Sequence, residues 1–243
     1  MGRTMGEAGY RGARPIRAIT LDLDDTLWPV EPTMQRAERL AHQWLTERAP
    51  EVGAAWPIGQ LRERRMAIHA ARPELRHDFL AIRRIALQEA FRYSGGGDAQ
   101  SAAIIEGMLE VFMGARNEVE LYPEVLACLD RLSRRYRIAS LSNGNASLAR
   151  IGLDHFFHAT VSAHAYGTSK PDPTLFHIAC RELGCVPEEV VHLGDDIELD
   201  VRGARGAGLH AVWINRQCHP WPGDDAPVTV SDLEAFERWL AQD

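Results

Sequence analysis

After Pro123 the chain alternates between helical and extended patterns, and this alternation limits the fold more than any other feature of the sequence. Stretches with helical periodicity are separated by short apolar runs that favour strands. The predicted helices are 123–135, 146–151, 173–183, 199–207 and 231–241, and the predicted strands are 136–142, 159–163, 189–194 and 209–214. Strands that alternate with helices form βα units. The chain is therefore predicted to be an α/β protein with a doubly wound, mostly parallel sheet.

A single strand and a long helical insertion precede this region. Residues 1–14 show no apolar period, which predicts a mobile tail. From Ile16 a partly alternating apolar run predicts a strand that ends in carboxylates. From 31 to 116 apolar residues recur every three or four positions, which predicts helices only. The sequence is thus divided into a tail (1–14), a core (15–30 and 117–243) and an inserted helical domain (31–116).

Composition and charge restrict the possible partners. Hydrophobic residues make up 45% of the chain and charged residues 25%, which is typical of a globular protein and excludes disorder of the whole chain. The chain has 27 Lys and Arg against 34 Asp and Glu, a net charge of -7, which is the wrong sign for a protein that binds a nucleic-acid backbone. No apolar run reaches the ~18–20 residues that span a bilayer. We therefore expect a cytoplasmic protein with a small-molecule partner, no nucleic acid and no membrane partner, as a monomer or a homodimer.

Polar and acidic residues follow the predicted strands. The carboxyl ends of parallel strands meet at one edge of a sheet, so these side chains are expected to lie close together. Lys170 precedes the predicted helix 173–183 and is expected at the same edge. The strand-end residues are Asp22 and Asp24 after the first strand, Ser142 and Asn143 after the second, and Asp195 after strand 189–194, with Asp196 and Asp200 close behind.

Carboxylates that converge in this way require a cation. Like charges ~4 Å apart repel by about 4 kcal/mol at an effective dielectric constant of about 20. A set of oxygen ligands without His or Cys is typical of Mg2+, and Ser142, the backbone N–H groups of the Asn143 turn and Lys170 are suited to the oxygens of a phosphoryl group. Asp22 and Asp24 are two residues apart and point to the same side. One of them can therefore attack phosphorus while the other transfers protons.

These motifs are similar to those of the haloacid dehalogenase-like hydrolase superfamily. Asp22-x-Asp24-x-Thr26 resembles the first motif, Ser142 the second, Lys170 the third and Gly194-Asp195-x4-Asp200 the fourth, over about residues 16–215. The resemblance implies a Rossmann-like catalytic core, with the insertion as a helical type I cap. It also implies that Asp22 is the nucleophile and Asp24 the acid/base. Mg2+ would be held by Asp22, the Asp24 backbone carbonyl and Asp195, with Asp196 or Asp200 as an alternative or supporting ligand.

Within the superfamily, Asp24 points to the phosphatase branch, because the dehalogenase branch lacks the second acidic residue. We therefore expect a Mg2+-dependent phosphatase that hydrolyses a small phosphate monoester through an aspartyl-phosphate. The tail of the fourth motif, Arg202-Gly203-Ala204 and Ala207-Gly208, resembles that of nucleotide, flavin mononucleotide and sugar phosphatases, which implies a substrate of one of these classes. One alternative is a haloacid dehalogenase or a phosphonate-cleaving hydrolase. A second is a receiver-like phosphoacceptor signalling module, although the acidic site that follows Lys170 and the helical insertion argue against it.

Two sequence features that could contact the substrate have alternative interpretations. For Trp28 we prefer packing beneath the inserted helices, and contact with a substrate ring is the alternative. The insertion is also rich in arginine, which we interpret as a solvated helix face, with a substrate clamp as the alternative. These arginines are Arg62, Arg64, Arg65, Arg72, Arg76, Arg83, Arg84 and Arg92.

Overall fold

The computed structural model describes residues 14–96 and 99–242, so the predicted tail, apart from Arg14, lies outside the described residues. Its centre is one sheet of six strands, all paired in parallel. The strands are β1 (Ala18–Leu21), β2 (Arg137–Ser142), β3 (Ala159–Ser162), β4 (Val190–Gly194), β5 (His210–Ile214) and β6 (Val228–Val230). Their spatial order is β3-β2-β1-β4-β5-β6. The α/β fold class with a parallel, Rossmann-like sheet is confirmed.

Strand β1 lies in the middle of the sheet, where every one of its residues is buried. Continuous apolar strands of this kind are covered on both faces in parallel sheets. Leu21 is paired with Ser140 of β2 on one side and with Leu193 of β4 on the other. The segments that leave β1, β2 and β4 therefore start at the same edge of the sheet.

In the described residues, the insertion that follows β1 contains five α-helices. They are α1 (Val30–Arg48), α2 (Pro50–Ala55), α3 (Ile58–Ala71), α4 (Phe79–Tyr93) and α5 (Ala99–Arg116). Their apolar faces form a buried cluster that includes Leu45, Leu87 and Phe112. The inserted segment consequently has its own apolar interior, formed mainly by α1, α4 and α5.

The remaining helices cover the sheet. They are α6 (Val125–Ser133), α7 (Leu148–Ile151), α8 (Ala163–Tyr166), α9 (Pro173–Leu183), α10 (Gly203–Gly206) and α11 (Leu233–Leu240). Leu129 of α6 and Phe236 of α11 pack in one cluster with Ile19. Phe176 of α9 packs in a second cluster with Leu141 of β2. The sheet thus carries helices on both faces, as a doubly wound fold requires.

Two local predictions differ from the structure. Strand β6 was not predicted, because it has only three residues and follows Pro227. The helix predicted over 199–207 begins as a π-helical segment (Ile197–Arg202) that continues into α10. By contrast, the prediction of helix 173–183 is confirmed as α9. No helix in the described part of the chain combines the length and apolarity needed to cross a membrane.

Candidate active site

A tight loop carries the acidic residues that follow β1. Asp22 still belongs to the sheet, because its N–H donates to the carbonyl of Leu193 at 2.9 Å. The chain then reverses through Asp25, whose φ of 56° lies in the left-handed region. Asp25 N–H donates to the Trp28 carbonyl at 2.7 Å, and its carboxylate accepts from the N–H of Val30 at 2.9 Å. The loop is therefore tied to the first turn of α1.

Lys170 lies beside Asp22 at the centre of the site. Its Nζ donates to Asp22 Oδ1 at 2.5 Å and to Asp200 Oδ1 at 2.6 Å, and the residue is only 4% exposed. The chain contains 27 lysines and arginines, and Lys170 is the only lysine among them. A compact ammonium with three donors fits between two carboxylates, whereas the planar guanidinium fork of arginine needs more space. Lys170 therefore supplies the buried positive charge of this site.

The side chain of Asn143 fixes the position of Lys170. Its Oδ1 accepts from the Lys170 N–H at 2.8 Å and its Nδ2 donates to the Lys170 carbonyl at 3.0 Å. These bonds join the loop after β2 to the segment before α9. The Asn143 side chain is thus used for positioning, and a role in phosphate binding would fall to its backbone. The neighbouring Ser142 Oγ accepts from the N–H of Gly144 at 2.9 Å, so the Ser142 hydroxyl can still donate to an anion.

Three carboxylates meet next to Lys170. Oxygens of Asp22, Asp195 and Asp200 all lie within 4.8 Å of one another. Burial and the charge of Asp200 raise the pKa of Asp22 to about 7, although Lys170 opposes the shift. Burial, with the charges of Asp22 and Asp200, raises the pKa of Asp195 to about 8. Fully ionised, the three carboxylates would carry more negative charge than Lys170 alone neutralises, and this repulsion is one reason why the two pKa values are raised.

Asp200 differs from its two neighbours because both of its oxygens are occupied. Oδ1 accepts from Lys170 and lies 2.9 Å from His192 Nε2, while Oδ2 accepts from the N–H of Asp196 at 3.0 Å. Burial opposes ionisation of Asp200, but Lys170 and His192 outweigh it and hold its pKa well below the usual range. The structure thus places Asp200 as a support for Lys170 and the loop after β4. Asp22 and Asp195 are better placed to bind a cation.

Asp196 has a different environment from the other acidic residues. Its side chain is exposed, and its Oδ1 accepts from the N–H groups of Glu198 and Leu199, both at 2.8 Å. This is the N-cap of the π-helical segment. The helix cap thus uses Oδ1 of Asp196, and the group of converging carboxylates consists of Asp22, Asp195 and Asp200.

Asp24 lies outside the three-carboxylate group and is held by two donors. Arg116 Nη2 donates to Asp24 Oδ1 at 2.7 Å and to Oδ2 at 2.5 Å, and Trp28 Nε1 donates to Oδ1 at 2.8 Å. Arg116 is the last residue of α5 and is only 2% exposed. The orientation of Asp24 is thus set by the end of the inserted helices.

The position of Trp28 decides between its two interpretations. Its side chain is completely buried in the core cluster that also contains Leu27 and Val125. The indole donates to Asp24 from within the protein, and the burial of the ring in the core favours packing over substrate contact. Its functional contribution is the hydrogen bond that it donates to Asp24.

A cavity of about 860 Å³ opens beside Asp24. The core contributes Asp24, Gly144 and Asn145 to its lining, and helices α1, α3, α4 and α5 contribute the rest. Of the eight arginines named in the sequence analysis, Arg62, Arg65 and Arg83 line the cavity. Arg64 and Arg84 instead form exposed ion pairs. The prediction of a solvated face therefore describes only some of these arginines.

Comparison with known families agrees with this geometry. A family model described as haloacid dehalogenase-like hydrolase matches residues 16–208, which is more than half of the chain. The chain belongs to this family of hydrolases. It is thus an enzyme of the family, and an interpretation as a receiver-like signalling module has no support from the comparison.

Relatives of this hydrolase have more than one activity. The 5-amino-6-(5-phospho-D-ribitylamino)uracil phosphatase YigB of Escherichia coli (strain K12) is 29% identical over 84% of this chain and 86% of that protein. The phosphoserine phosphatase of Thermus thermophilus is 33% identical over 100% of this chain and 89% of that protein. A solved structure of a 2-haloacid dehalogenase from Pseudomonas syringae pv. Tomato DC3000 has a TM-score of 0.88 and 33% identity, covering 93% of this chain and 99% of that one.

Two residues of the hydrolase site, Arg116 and His192, were not predicted from the sequence. His192 is fully buried, its Nδ1 lies 2.9 Å from the hydroxyl of Thr20, and burial lowers its pKa. A histidine inside the apolar strand Val190–Gly194 was a signal that the sequence offered. Arg116 gave no such signal, because it lies 92 residues from Asp24 along the chain.

Proposed function

We propose that this hydrolase is a Mg2+-dependent phosphatase that cleaves a small phosphate monoester through an aspartyl-phosphate on Asp22. The observation that carries the proposal is the position of Asp24. Asp24 is two residues from Asp22 in sequence, its carboxylate is oriented by Arg116 and Trp28, and it lines a cavity of about 860 Å³. A proton donor at the mouth of a substrate cavity is what the departure of an alcohol requires.

The donor set fits Mg2+. Asp22 and Asp195 offer oxygen atoms only, and their raised pKa values reflect burial and mutual repulsion that a dication would relieve. Asp22, Asp195 and, as the family resemblance implies, the backbone carbonyl of Asp24 would hold the ion. When bound, Mg2+ supplies positive charge that offsets the charge of the phosphoryl oxygens.

The side chains of Asp22 and Asp24 have different roles in the two steps of the reaction. Lys170 holds Asp22 Oδ1, while the one hydrogen bond that Oδ2 receives from the described residues is a long 3.4 Å contact from the hydroxyl of Thr26. Oδ2 is therefore the oxygen that attacks phosphorus, and the bond from phosphorus to the ester oxygen breaks. Asp24 donates its proton to the departing oxygen. It then takes a proton from the water that attacks the aspartyl-phosphate, which restores Asp22 and releases inorganic phosphate.

Other groups at the sheet edge position the phosphoryl group. The Ser142 hydroxyl can donate to one of its oxygens, and the Lys170 ammonium stabilises charge that develops in the transition state. The bonds from Asn143 keep Lys170 in register with Asp22. Activity therefore depends on residues from three different strand ends.

The test uses p-nitrophenyl phosphate, whose leaving group departs as a stable anion. We expect turnover that requires Mg2+, is lost in EDTA and is lost in Asp22→Asn. Asp130→Asn is the matched control, because the side chain of Asp130 on α6 is about half exposed and pairs with Arg134 at the end of that helix. Equal rates with Mg2+, with EDTA and in Asp22→Asn would contradict the proposal.

A second experiment tests the intermediate. In Asp24→Asn we expect labelled phosphate to accumulate on Asp22, because a stable leaving anion needs no acid while the hydrolysis of the aspartyl-phosphate needs a base. Acid quenching and peptide mapping would locate the label. On alkyl esters the same variant should lose about 10²–10⁴-fold in rate. Full activity of Asp24→Asn on alkyl esters would remove Asp24 from the mechanism.

Hydrolytic dehalogenation is the second candidate, because similar proteins include dehalogenases such as the (S)-2-haloacid dehalogenase 4A of Burkholderia cepacia, at 31% identity. The same Asp22 could displace a halide from carbon. Chloride release from 2-chloropropionate without phosphate release from any ester would favour this reaction.

A further inference from the structure

Two arginines of the cavity share a single carboxylate oxygen. Arg65 Nη2 donates to Glu38 Oε1 at 2.6 Å, and Arg83 Nη2 donates to the same oxygen at 2.8 Å. Two positive charges therefore meet one negative charge inside the wall of the cavity. Burial, with the charges of Arg83 and Arg62, lowers the pKa of Arg65 to about 10. The arrangement favours a second negative charge.

Arg83 also has an unused donor. The residue is 6% exposed and its guanidinium lies 3.6 Å above the ring of Phe112. Its Nη1 is buried and has no hydrogen-bond partner among the described residues. Buried guanidinium groups are normally fully hydrogen-bonded, because an unpaired charged donor is costly. An unpaired Nη1 is what we expect if the bound ligand supplies its hydrogen-bond acceptor.

The outer arginines of the cavity point to the same conclusion. Arg39 and Arg62 line the cavity, are exposed, and form no salt bridge within the described ranges 14–96 and 99–242. Apart from the Asp24–Arg116 pair, the lining has four arginines and two glutamates. The arginines are Arg39, Arg62, Arg65 and Arg83, and the glutamates are Glu31 and Glu38. Positive charge is thus in excess on the side that the insertion contributes.

Arginines elsewhere in the insertion show what a purely structural role looks like. Arg64 and Arg84 stand next to Arg65 and Arg83 in sequence but do not line the cavity. Each forms a two-point ion pair with its own glutamate, at 2.5 and 2.9 Å for Arg64 and at 2.8 and 2.7 Å for Arg84. Arg65 and Arg83, which line the cavity, share one glutamate, Glu38.

Much of the remaining lining is apolar. Met34, Ile58, Ile82 and Phe112 are among the residues that form it. A volume of about 860 Å³ is close to the upper end of the range for small-molecule sites, about 300–1,000 Å³, so a phosphoryl group alone would leave most of it empty. The cavity therefore fits a ligand with an apolar middle section.

From these observations we infer that the leaving group of the substrate carries a second anionic group, joined to the phosphate ester by an apolar spacer and bound by Arg83 and Arg65. The inference rests on the proposed phosphatase function and specifies its substrate class. In this arrangement Glu38 fixes the two guanidinium groups, Arg39 and Arg62 attract the anion, and the ester lies beside Asp24. A carboxylate and a second phosphate are the two sources of such an anion.

The test compares matched pairs of esters at pH 7. Aryl phosphates with a para carboxylate on zero, one or two methylene groups are each compared with the corresponding neutral amide, and the analogous bisphosphates form a second arm. We expect kcat/KM to favour the anionic member by about tenfold or more at one spacer length, as a charged hydrogen bond predicts. The arm with the larger preference identifies the anion.

Variants connect the preference to the arginines. Arg83→Met is compared with Arg84→Met, and Arg62→Gln with Arg64→Gln, so each pair has the same substitution on the same helix. In Arg83→Met the anion-to-amide ratio of kcat/KM should fall towards one, and in Arg62→Gln it should fall severalfold. Both control variants should keep the ratio of the natural protein. Because Arg62 is exposed, its variant tests the inference even if Arg83→Met does not fold.

Three results would overturn the inference. If the natural protein hydrolyses p-nitrophenyl phosphate but shows a ratio near one for every spacer, the inference fails and the phosphatase function stands. If the ratio is high but unchanged in Arg83→Met and Arg62→Gln, the anion is recognised elsewhere and the inference fails. If no ester is hydrolysed, the proposed function fails, and the inference fails with it.

Discussion

Replacing Lys170 by methionine should destabilise the metal-free protein strongly and in a pH-dependent way. The ammonium lies 2.5 Å from an oxygen of Asp22 and 2.6 Å from an oxygen of Asp200, and all three side chains are buried. Methionine keeps the length and apolar stem of lysine but provides no charge. The variant therefore leaves two buried carboxylates without their common partner.

Removing one partner of a buried ion pair costs about 3–5 kcal/mol in the free energy of unfolding. We expect this magnitude at pH 8, where both carboxylates are largely ionised. At pH 5.5 the loss should be smaller. The pKa of Asp22 is about 7 in the folded protein, so Asp22 is then protonated and only the contact with Asp200 is lost. The destabilisation should consequently grow as the pH rises.

Urea unfolding in EDTA, followed by tryptophan fluorescence, measures this effect. With a typical slope of about 2–3 kcal/mol per M, the midpoint should fall by about 1–2 M at pH 8. Lys170→Arg is the control, because it retains the charge and should lose less stability than Lys170→Met at pH 8. A loss below about 1 kcal/mol at pH 8, or the same loss at both pH values, would refute the electrostatic account.

Two further predictions concern the carboxylates and the loop that holds Asp24. The pKa values of Asp22 and Asp195 rise from 3.8 to about 7 and 8 on folding, so the folded protein binds more protons than the unfolded chain between these limits. In EDTA the free energy of unfolding should therefore fall as the pH rises from about 4 to about 8. The stabilisation by added Mg2+ should grow over the same pH range. Denaturant titrations that show no such pH dependence would contradict these pKa values. Gly144→Ala would place a Cβ 2.8 Å from Asp24 Oδ2, so turnover should fall about tenfold or more, with little change in the urea midpoint. Gly114→Ala is the control, because a Cβ at this position of helix α5 would contact no other atom. This variant should keep full turnover and gain up to about 1 kcal/mol of stability. Equal turnover of the two variants would contradict the claim that activity needs a precise position of Asp24.

The parts of the site that follow strands could be predicted from sequence. Asp22 and Asp195 stand directly after apolar runs, and a parallel sheet brings such positions together whatever the intervening length of chain. Local signals also fixed helix α9, where Asp172 accepts from the Thr174 N–H, Pro173 starts the helix and Gly184 ends it with a φ of 64°. These features depend on residues that are neighbours in sequence, so a sequence pattern can predict them.

The parts that depend on tertiary packing could not be predicted. Arg116 is one of many arginines, and only the packing of α5 places it against Asp24. The different roles of Asp196 and Asp200 arise from the π-helical turn, which directs the first to the helix start and the second towards Lys170. Trp28 directly follows the acidic loop, and this position in the sequence is compatible with either a buried ring or a ring that contacts a ligand. Its burial was decided by long-range contacts that no spacing reveals.

The presence of a single lysine in the chain has a practical consequence. Reagents that modify primary amines have only two kinds of target here, the amino terminus and a side chain that lies in the candidate active site. Reductive methylation with carbon-13 would place one spectroscopic reporter between Asp22 and Asp200, with no background from other lysine side chains. Because that ammonium is almost completely enclosed, its rate of labelling would measure how often this part of the protein opens to solvent.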